Sequence, residues 1–479
     1  MEDPIIQIKN LFNTVISGEW EAIHKIPQSG GDRIYFRIHQ GGQSWIATVS
    51  LNIKENQTFI YFAQHFKAKG LPVPEVLAIN KEGTCYIQED VGTTSLLEVL
   101  EKEGKTDHVF SLFKKSLKSL AELQVKGHQG LDYQKCLTSK LFGNQSIMSD
   151  LLYYKYYFLD SLQYPYDKQA LMNEFELLSD ELASKDFNYF LFRDFQSRNI
   201  MVHNDEVYFI DFQGGMQGGL SYDVASLLWQ AKAELSQEWK DQLLAYYIQE
   251  VNKLLPQALN EAAFRKQYNG FVLLRLLQVL GAYGFRGLFE RKAHFLASIP
   301  LGLNNLKNFL ATTDLKKDTP VFASILQWMV SDEVVARFTP PIANDKTVLE
   351  VTIHSFSYKK GIPVDPTDNG GGFVFDMRGI LNPGRFDDYK KLSGLDKPVQ
   401  DFLEQKTKMN VFLNSVWDLV DINVEDYLKR GFASLQINFG CTGGQHRSVF
   451  AAEQTARHLR NKYKVKVNLV HTNKENWVK

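Results

Sequence analysis

The chain has 479 residues, of which 44% are hydrophobic and 23% are charged, a composition typical of globular proteins with large buried cores. At about 100–200 residues per domain, this length predicts two to four structural units. The 54 lysines and arginines nearly balance the 55 acidic residues. This balance argues against a strongly basic nucleic-acid binder and against an acidic tail protein.

The cysteines and the apolar segments indicate a reducing, aqueous compartment. The chain contains three cysteines: Cys85, Cys136 and Cys441. They are too few and too far apart for a disulfide framework or a cysteine-based zinc site. The first residues are acidic, unlike a signal peptide, and the most apolar helical stretch, 271–285, contains Arg275 and is shorter than a bilayer span. We therefore expect a cytoplasmic protein without a membrane partner.

The first ninety residues are predicted to be mostly β. Strands are expected where β-branched and aromatic residues are bounded by turn residues, at 22–27, 34–39, 44–50, 75–79 and 84–89. A glycine-bearing turn at 28–33 joins the first two strands, and Gly41-Gly42 forms a tight hairpin between the next two. A helix is predicted over 54–69 and ends before Gly70.

From residue 93 to about 335, apolar residues recur at helical spacing, apart from a β-like island at 200–212. A proline-bearing polar stretch at 339–345 suits a linker. After it, strands are expected at 348–354, 373–377, 433–439 and 465–471, with helices near 398–430 and at 448–462. We therefore predict four segments: a β-rich lobe (1–92), a helical lobe (93–338), a linker (339–347) and a separate α/β domain (348–479).

The β-like island carries the first chemical motif. Asp194 and Asn199 lie five residues apart on a predicted loop, and Asp211 ends the hydrophobic run that follows. Metal-assisted phosphoryl transfer needs one aspartate to accept or orient the acceptor proton, and an asparagine and a second aspartate to hold Mg²⁺. Each residue alone is typical of a turn. Their joint placement between apolar strands predicts a kinase site.

These residues resemble the aminoglycoside-phosphotransferase-like kinases, a branch of the protein-kinase-like fold. The resemblance covers the N-terminal two-thirds of the chain and rests on residues 30–37, 193–199, 211–213 and 221–227. Within the family it is closest to the anomeric amino-sugar kinases of cell-wall recycling, the N-acetylmuramate/N-acetylglucosamine kinases. It implies a bilobal α+β protein-kinase-like fold, ATP and Mg²⁺ as cofactors, an amino-sugar substrate, Asp194 as catalytic base, and Asn199 and Asp211 as Mg²⁺ ligands.

The same resemblance implies the residues that contact ATP. The turn over the phosphates would consist of Gly30, Gly31, Asp32 and Arg33, and the hinge beside adenine would include Glu89. Asp223 is expected to be structural, as an acid near the start of its helix. The strand 44–50 has no lysine where many kinases place one on the phosphates, and Lys54 just beyond it is more typical of a solvated helix residue. A degenerate kinase that acts as an adapter is therefore an open alternative.

The second motif lies in the last domain. A buried strand at 433–439 runs into a glycine-rich loop, and a helix with an arginine at its start follows. Converging N–H groups, the helix dipole and an arginine fork favour an anion. The candidate anion-binding residues are Cys441, Thr442, Gly443, Gly444, Gln445, His446, Arg447 and Ser448. Cys441 and Arg447 also have the spacing of a cysteine phosphatase loop, so thiol chemistry and a purely structural turn are the alternatives.

A longer set of segments resembles the C-terminal domain of the RapZ RNase-adapter family. The segments are 355–363, 373–378, 382–383, 395–399 and 440–448. The resemblance implies binding of an amino-sugar phosphate and, in some members, of RNA and partner proteins. The Walker-type ATPase domain that usually precedes it is missing from this sequence, since no Gly-x4-Gly-Lys-Ser/Thr occurs. Sugar-phosphate binding therefore transfers more readily than the RNase-adapter role.

The two parts of the chain differ in net charge. Residues 346–479 contain 20 basic and 15 acidic residues, so their net charge is +5 and that of the preceding part is −6. The basic C-terminal stretch could follow RNA phosphates, but it has few interleaved aromatic residues and is more typical of a solvated face. The leading hypothesis is an amino-sugar kinase with a sugar-phosphate-binding domain. The alternatives are an RNA- or protein-binding adapter and a cysteine phosphatase.

Overall fold

The computed structural model describes residues 4–16, 18, 20–26, 33–183, 188–313, 315, 319–367 and 371–478. The predicted ATP-binding residues Gly30, Gly31 and Asp32 lie outside these ranges. The chain divides into two compact units, Met1–Val335 and Ala336–Lys479. Each unit has its own sheets and its own hydrophobic core.

The first unit begins with a five-stranded antiparallel sheet of order β1-β2-β3-β5-β4. Its elements are α1 (Pro4–Val15), β1 (Ala22–Ile26), β2 (Ile34–Gln40), β3 (Gln43–Val49), α2 (Ile53–Lys67), β4 (Val76–Ile79) and β5 (Cys85–Glu89). The strands agree with the sequence prediction to within one or two residues. Gly41 and Gly42 have φ of +57° and +76° and form the predicted hairpin turn. The packing of α1 against this sheet was not predicted.

Helix α2 brings two side chains to the inner side of this lobe. It begins at Ile53 because the Asn52 side chain caps the Glu55 N–H. Its buried face carries Phe59, Phe62 and Phe66 at helical spacing. The helix ends at Lys67, slightly earlier than predicted. Glu55 and Phe59 lie one helical turn apart, and both contact residues of the candidate site.

The rest of the first unit is mostly helical. Its helices are α3 (Leu96–Glu103), α4 (Asp107–His128), α5 (Asn144–Tyr154), α6 (Lys168–Leu182), α7 (Ser221–Leu228), α8 (Gln237–Asn252), α9 (Glu261–Tyr283), α10 (Ala293–Leu296), α11 (Ile299–Leu310) and α12 (Pro320–Met329), with α13 (Asp332–Phe338) across the unit boundary. The short strands are β6 (Thr94–Ser95), β7 (Asn188–Leu191), β8 (Ile200–His203), β9 (Glu206–Phe209) and β10 (Met216–Gly219). The predicted β island is the β8–β9 hairpin.

Helix α9 is the longest core helix of this unit. It continues into a π-helical turn, Gly284–Phe289, beside a second such turn, Lys155–Leu159. A Cβ at Gly284 would lie 2.2 Å from the Tyr157 carbonyl oxygen, so the close approach requires glycine. The 29-residue segment Glu261–Phe289 is longer than the apolar stretch predicted, and by length and composition it could cross a membrane. However, 61% of its apolar window is buried in the protein, as in a core helix.

The second unit is an α/β domain, as predicted, and its sheet is parallel. Its elements are β11 (Glu350–Ser357), β12 (Phe373–Asp376), α14 (Lys397–Lys406), α15 (Met409–Arg430), β13 (Ser434–Cys441), α16 (Arg447–Tyr463) and β14 (Lys466–His471). The sheet order is β12-β13-β11-β14, and all three pairings are parallel. The carboxyl ends of the strands therefore share one edge, with Ser357 opposite Cys441 and Asp376 opposite Gly440. In such sheets this edge is where ligands bind.

A partly buried charge cluster fixes α16, the helix that follows the glycine-rich loop, against α15. Asp421 on α15 accepts hydrogen bonds from His458 (2.8 Å) and Lys462 (2.7 Å) on α16. Trp417 stacks on the His458 ring at 4.7 Å and donates to Thr455. Burial raises the pKa of Asp421, but His458 and Lys462 outweigh it and hold this pKa below its usual range.

This cluster predicts a pH-dependent stability for the second unit. Because the folded pKa of Asp421 lies below the unfolded value of about 4, its stabilisation is present above that pH and is lost as the pH falls through the folded pKa. Asp421→Asn should lower the stability of α15 and α16 at neutral pH by roughly 1–3 kcal/mol. It should also flatten the loss of stability in acid. Urea-dependent hydrogen exchange of the two helices measures both effects.

Asp426→Asn is the matched control, since Asp426 forms an exposed pair with Arg430 on the same helix. Exposed pairs of this kind contribute little to stability. Equal exchange rates in the two variants would contradict the role given to Asp421.

Candidate functional site

A buried carboxylate fixes the start of the loop that follows β7. Asp223, in the first turn of α7, is 0% exposed. It accepts hydrogen bonds from the backbone N–H groups of Phe192 (2.7 Å) and Arg193 (3.0 Å) and from the Gln124 side chain (3.0 Å). Burial raises the pKa of Asp223 to about 7, whereas these hydrogen bonds favour the charged form. Asp223 therefore holds the loop directly, whereas the sequence indicated only an effect on the dipole of its own helix.

The side chain of Arg193 anchors the same loop from the other side. Arg193 has a φ of +82°, a left-handed conformation that is unfavourable for a residue with a side chain. Its guanidinium donates to Asp150 (2.7 Å) and to the Tyr222 hydroxyl (2.6 Å), which also accepts from Arg275 at 3.0 Å. These partners offset the cost of the backbone conformation. The loop that carries the next residue, Asp194, is consequently fixed at both backbone and side chain.

The predicted catalytic residue Asp194 has a fixed backbone and an open side chain. The Asn199 side-chain N–H donates to the Asp194 carbonyl oxygen at 2.8 Å and closes the loop between them. The Asp194 side chain is 47% exposed, and its Oδ1 lies 3.9 Å from Nη1 of Arg275. A solvent-facing carboxylate next to a buried cation is available to accept or orient the proton of a hydroxyl group.

The second predicted metal ligand, Asp211, is brought to Asn199 by the β8–β9 hairpin. The Ile210 N–H donates to the Asn199 carbonyl oxygen at 3.1 Å. Asp211 is exposed and has a φ of +68°, and the Gln213 side-chain N–H donates to its Oδ1 at 2.7 Å. The structure therefore places Asn199 and Asp211 at the same end of one hairpin, as two oxygen ligands for a metal ion require.

The aromatic residue after Asp211 ties it to α2. Phe212 stacks on Phe59 with ring centroids 4.7 Å apart and lies 6.2 Å from Phe192. Phe192, which comes two residues before Asp194, is fully buried. An apolar side chain at this position therefore packs the loop of Asp194 against the segment of Asp211.

Two of the predicted ATP-binding residues, Arg33 and Glu89, lie in the described part of the chain. Nη2 of Arg33 lies 3.2 Å from a carboxylate oxygen of Glu55 on α2. The Glu89 carboxylate accepts from Lys67 (2.8 Å) and from the Glu75 N–H (3.2 Å). The Glu89 side chain thus holds the end of β5 in place. Arg33 is connected to Asp211 through Glu55 and Gln213.

Three residues of the site were missed by sequence reasoning: Arg275, Glu55 and Gln213. Arg275 is 3% exposed, and among the described residues its Nε has no hydrogen-bond partner. A charge inside an apolar helical stretch is the sequence signal that could have identified it. Gln213 lies in the segment 211–213 of the resemblance but was given no role, and Glu55 has no sequence signal, because their 3.3 Å contact joins residues that are 158 positions apart.

In the second unit, the loop after β13 has its carbonyl groups held by distant donors. Three side chains donate to consecutive carbonyl oxygens: Ser357 to Thr442 (2.8 Å), Asn473 to Gly443 (2.7 Å) and Trp477 to Gly444 (2.8 Å). The backbone N–H groups of residues 445–448 have no acceptor within the described ranges. The loop and the start of α16 thus keep their N–H groups available for an anion.

Arg447 and Cys441 occupy the base of this loop. Arg447 is 4% exposed, and its Nη1 donates to three carbonyl oxygens of the turn after β12: Met377 (3.3 Å), Arg378 (3.1 Å) and Ile380 (2.8 Å). In the part of the chain that the structure describes, Nε of Arg447 has no hydrogen-bond partner. The Cys441 sulfur lies 3.1 Å from the Ser448 hydroxyl and 3.2 Å from the Gly444 nitrogen, and Cys441 is 3% exposed.

The side chains of Gln445 and His446 brace the loop. Gln445 donates to the Leu392 carbonyl oxygen (2.9 Å) and accepts from the Val478 N–H (2.9 Å). His446 bonds the Tyr389 carbonyl oxygen at 2.9 Å, and burial lowers its pKa. The exposed residues at the loop tip are Thr442 and Gly443. The predicted anion-binding residues therefore lie in one loop. The side chains of Gln445 and His446 hold the loop in place, whereas Thr442 and Gly443 are exposed at its tip.

Two family descriptions match separate parts of the chain. Residues 23–257 match the phosphotransferase enzyme family (APH), and residues 349–475 match the RapZ C-terminal domain. Together with the sheets and helices described above, these matches confirm the predicted protein-kinase-like fold followed by a separate α/β domain. The description matched by residues 23–257 is that of phosphotransferase enzymes, which agrees with the class predicted from the sequence.

Individual relatives cover parts of the chain. A nucleotide-binding protein of Shewanella halifaxensis is 38% identical over 120 residues, 25% of this chain and 40% of that protein. A nucleotide-binding protein of Endomicrobium trichonymphae is 37% identical over 137 residues, 28% of this chain and 46% of that protein. The chain thus spans less than half the length of these two curated relatives. The amicoumacin kinase hAmiN, solved with AMP-PNP, Ca²⁺ and amicoumacin, is 12% identical with a TM-score of 0.45, over 70% of this chain and 94% of that one.

The hydrogen bonds of Asp223 predict how the first loop responds to mutation. Asp223→Ala leaves the N–H groups of Phe192 and Arg193 buried without an acceptor, at a cost of roughly 1–3 kcal/mol for each. Hydrogen exchange across residues 192–199 should therefore accelerate strongly, and the first unit should lose stability. Ser226→Ala is the control, because Ser226 is buried on the same helix and, within the described ranges, its hydroxyl has no partner. Unchanged exchange in Asp223→Ala would contradict this account of the loop.

Proposed function

Since the chain joins a domain of the phosphotransferase enzyme family to a RapZ C-terminal domain, we propose that it is an ATP-dependent amino-sugar kinase with a fused sugar-phosphate-binding domain. The observation that carries the kinase assignment is the geometry of Asp194. Its backbone is bonded to Asn199 and its neighbour Arg193 is fixed, while its carboxylate faces solvent. A group held in this way can accept the proton of an acceptor hydroxyl as phosphoryl transfer proceeds.

The oxygen ligands fit Mg²⁺. Mg²⁺ is usually bound through one or two protein oxygens together with waters and substrate phosphates. Asn199 and Asp211 supply such oxygens from one end of the β8–β9 hairpin. Within the described residues, no group of three histidine, cysteine or acidic side chains could hold a metal ion, so softer metals have no comparable site there. When bound, Mg²⁺ neutralises charge on the transferring phosphoryl group.

The amino-sugar acceptor is proposed from two separate resemblances. The motifs at 193–199 and 221–227 resemble anomeric amino-sugar kinases, and the RapZ C-terminal domain is associated with amino-sugar phosphate. A product of the first domain would then be of the class that the second domain binds. The buried guanidinium of Arg275 lies 3.9 Å from the Asp194 carboxylate and places a cation beside the proposed base.

The proposed kinase reaction predicts the effect of Asp194→Asn. Wild-type protein with ATP and Mg²⁺ should phosphorylate at least one member of a panel containing N-acetylglucosamine, N-acetylmuramate and glucosamine. Asp194→Asn should lower kcat by roughly 10²–10⁴-fold, the usual contribution of a general base. Release of ADP measures the rate, and phosphorus NMR locates the new ester.

Asp205→Asn is the control for this experiment, since Asp205 is an exposed carboxylate on the β8–β9 turn. Its rate should equal that of wild type. An Asp194→Asn protein that turns over at the wild-type rate would refute the catalytic assignment, and a wild type that phosphorylates no amino sugar would refute the proposed substrate class.

For the second unit, we propose phosphate binding without chemistry. The loop carbonyls are occupied by Ser357, Asn473 and Trp477, so N–H groups and the start of α16 remain for the anion. Burial lowers the pKa of Arg447, and Arg385 and Arg378 act in the same direction, whereas Cys441 and Asp376 raise it. Arg447 thus places a buried cation at the base of the loop. The alternative of a phosphatase has less support, because the Cys441 thiol is almost fully buried between Ser448 and Gly444.

This proposal predicts the effect of Arg447→Lys in the full-length protein. Lysine keeps the charge but loses the planar fork and cannot hold the turn after β12 in the same way. Affinity for inorganic phosphate and for amino-sugar phosphates should fall by roughly tenfold or more. Arg457→Lys, at an exposed position of the same helix, should bind like wild type. Calorimetric titration measures both, and a wild type that binds none of these anions would overturn the proposal.

A further inference from the structure

Helices α5 and α9 pack side by side and lead from the loop of Asp194 to a pair of π-helical turns. At the end near this loop, Asp150 of α5 accepts a hydrogen bond from Arg193, and Arg275 of α9 lies 3.9 Å from the Asp194 carboxylate. At the other end, each helix continues into one of the two turns, and the turns contact each other. π-helical turns are rare and are frequently found at functional sites. Both turns lie in the direction that leads away from Asp194.

The end of α5 and the two turns carry a cluster of four aromatic rings. The aromatic cluster consists of Tyr153, Tyr157, Phe285 and Phe289. The Tyr157 ring centroid lies 4.9 Å from that of Tyr153 and 4.8 Å from that of Phe285, and the Phe289 ring follows at 5.4 Å. Phe289 is 57% exposed, and the other three residues are partly exposed. Exposed apolar side chains that gather in this way mark binding sites, whereas isolated ones do not.

Close packing of the two helices fixes the aromatic cluster. A Cβ at Gly281 would lie 2.9 Å from the Tyr153 ring, and one at Gly284 would lie 2.2 Å from the Tyr157 carbonyl oxygen. Glycine at both positions lets the two backbones approach each other closely. The rings are therefore held by two packed helices, which position side chains more precisely than loops do.

Polar groups border the aromatic cluster. The guanidinium carbon of Arg286 lies 5.4 Å from the Phe285 ring centroid, and its Nη1 donates to both carboxylate oxygens of Glu290. Burial raises the pKa of Tyr153, although Arg286 acts in the opposite direction. The Tyr153 hydroxyl is therefore neutral at physiological pH and can donate a hydrogen bond.

A sugar ring matches both the rings and their border. Its C–H faces are apolar and can stack on aromatic side chains, whereas its hydroxyl groups lie at the ring edge, where polar groups can bond them. An alkyl chain has no groups that could bond the polar border. The cluster therefore favours a sugar over a purely apolar ligand.

The distance from Asp194 determines which part of an acceptor reaches the aromatic cluster. Tyr153 follows Asp150 by three residues, or roughly 5 Å along a helix axis. Phe285 follows Arg275 by ten residues, or roughly 15 Å. A sugar whose hydroxyl group bonds Asp194 places its own ring near the start of this interval. A second ring linked to the first extends to the cluster.

We propose that the aromatic cluster is a second acceptor subsite, which binds the outer ring of a disaccharide whose reducing amino sugar lies at Asp194. The anomeric hydroxyl of the inner ring gives its proton to Asp194. Its oxygen forms a bond with the γ-phosphorus of ATP, and the bond from this phosphorus to the bridging oxygen of ADP breaks. The products are ADP and a disaccharide 1-phosphate. This inference rests on the proposed kinase function and narrows its substrate class to disaccharides of amino sugars.

The test compares N-acetylglucosamine with its disaccharide N,N′-diacetylchitobiose as acceptors for the full-length protein with ATP and Mg²⁺. The wild-type kcat/KM should be roughly tenfold higher for the disaccharide, because only the disaccharide stacks on the cluster. Tyr157→Leu removes the flat ring and should raise KM for the disaccharide roughly tenfold. KM for the monosaccharide and kcat for both sugars should stay the same. Tyr157→Phe keeps the ring and should match wild type.

Tyr156→Leu is the matched control, since Tyr156 lies on the same π-helical turn and is 57% exposed. Its ring lies outside the aromatic cluster, with Lys155 Nζ 4.3 Å from the ring centroid, so both KM values should equal those of wild type. Equal wild-type kcat/KM for the two sugars, or equal changes for both in Tyr157→Leu, would overturn the subsite while turnover upholds the kinase proposal. A wild type that phosphorylates neither sugar would also overturn the subsite. The kinase proposal falls with it only if no amino sugar of the panel described above is phosphorylated.

Discussion

The geometry of the first site depends on one buried interaction, the carboxylate of Asp223 with the N–H groups of Phe192 and Arg193. Without it, two backbone donors would be buried with no acceptor, and the left-handed backbone of Arg193 would lack its nearest support. With it, the loop leaves β7 in one conformation. The Asp194 side chain can then be exposed while its backbone is held in place, because Asp223 binds the N–H groups of the two residues that precede it. A general base, the role proposed for Asp194, needs both exposure and a fixed position, and in this loop the two have separate structural causes.

Aromatic packing connects the loop of Asp194 to the segment of Asp211 and to α2. Phe212 contacts Phe59 on α2 and Phe192 on the loop of Asp194. A displacement of α2 would therefore move the residue next to Asp211 as well as Glu55. Dense packing of this kind transmits small displacements, because aromatic rings in a filled core have few alternative positions. Helix α2 and the segment of Asp211 are coupled through the core as well as through Gln213.

The sequence predicted those structural features whose physical cause lies in neighbouring residues. The strands of the first lobe, the Gly41-Gly42 hairpin and the parallel domain follow from periodicity and turn residues, and the spacing of Asp194, Asn199 and Asp211 follows from one loop and one hairpin. Contacts between distant segments were not predictable in this way. The dipole argument for Asp223 identified a structural residue but not the amides it binds, which lie about 30 positions earlier. Arg33 was assigned to a phosphate-binding turn, while its pairing with Glu55 required knowledge of where α2 packs.

In both units, side chains from distant segments form hydrogen bonds with the backbone of a loop, with its N–H groups in the first unit and with its carbonyl groups in the second. In the first, the buried carboxylate of Asp223 accepts backbone N–H groups, so the loop can expose the carboxylate of Asp194, the proposed acceptor of a hydroxyl proton. In the second, Ser357, Asn473 and Trp477 donate to consecutive carbonyl oxygens, so N–H groups of the loop remain available, as the proposed anion binding requires. In each unit, side chains from distant segments bond either the N–H groups or the carbonyl groups of the loop. They thereby determine which charge the loop can stabilise. Because these partners come from other segments, the chemistry of each loop depends on the packing of its whole unit, and the motif alone does not determine it.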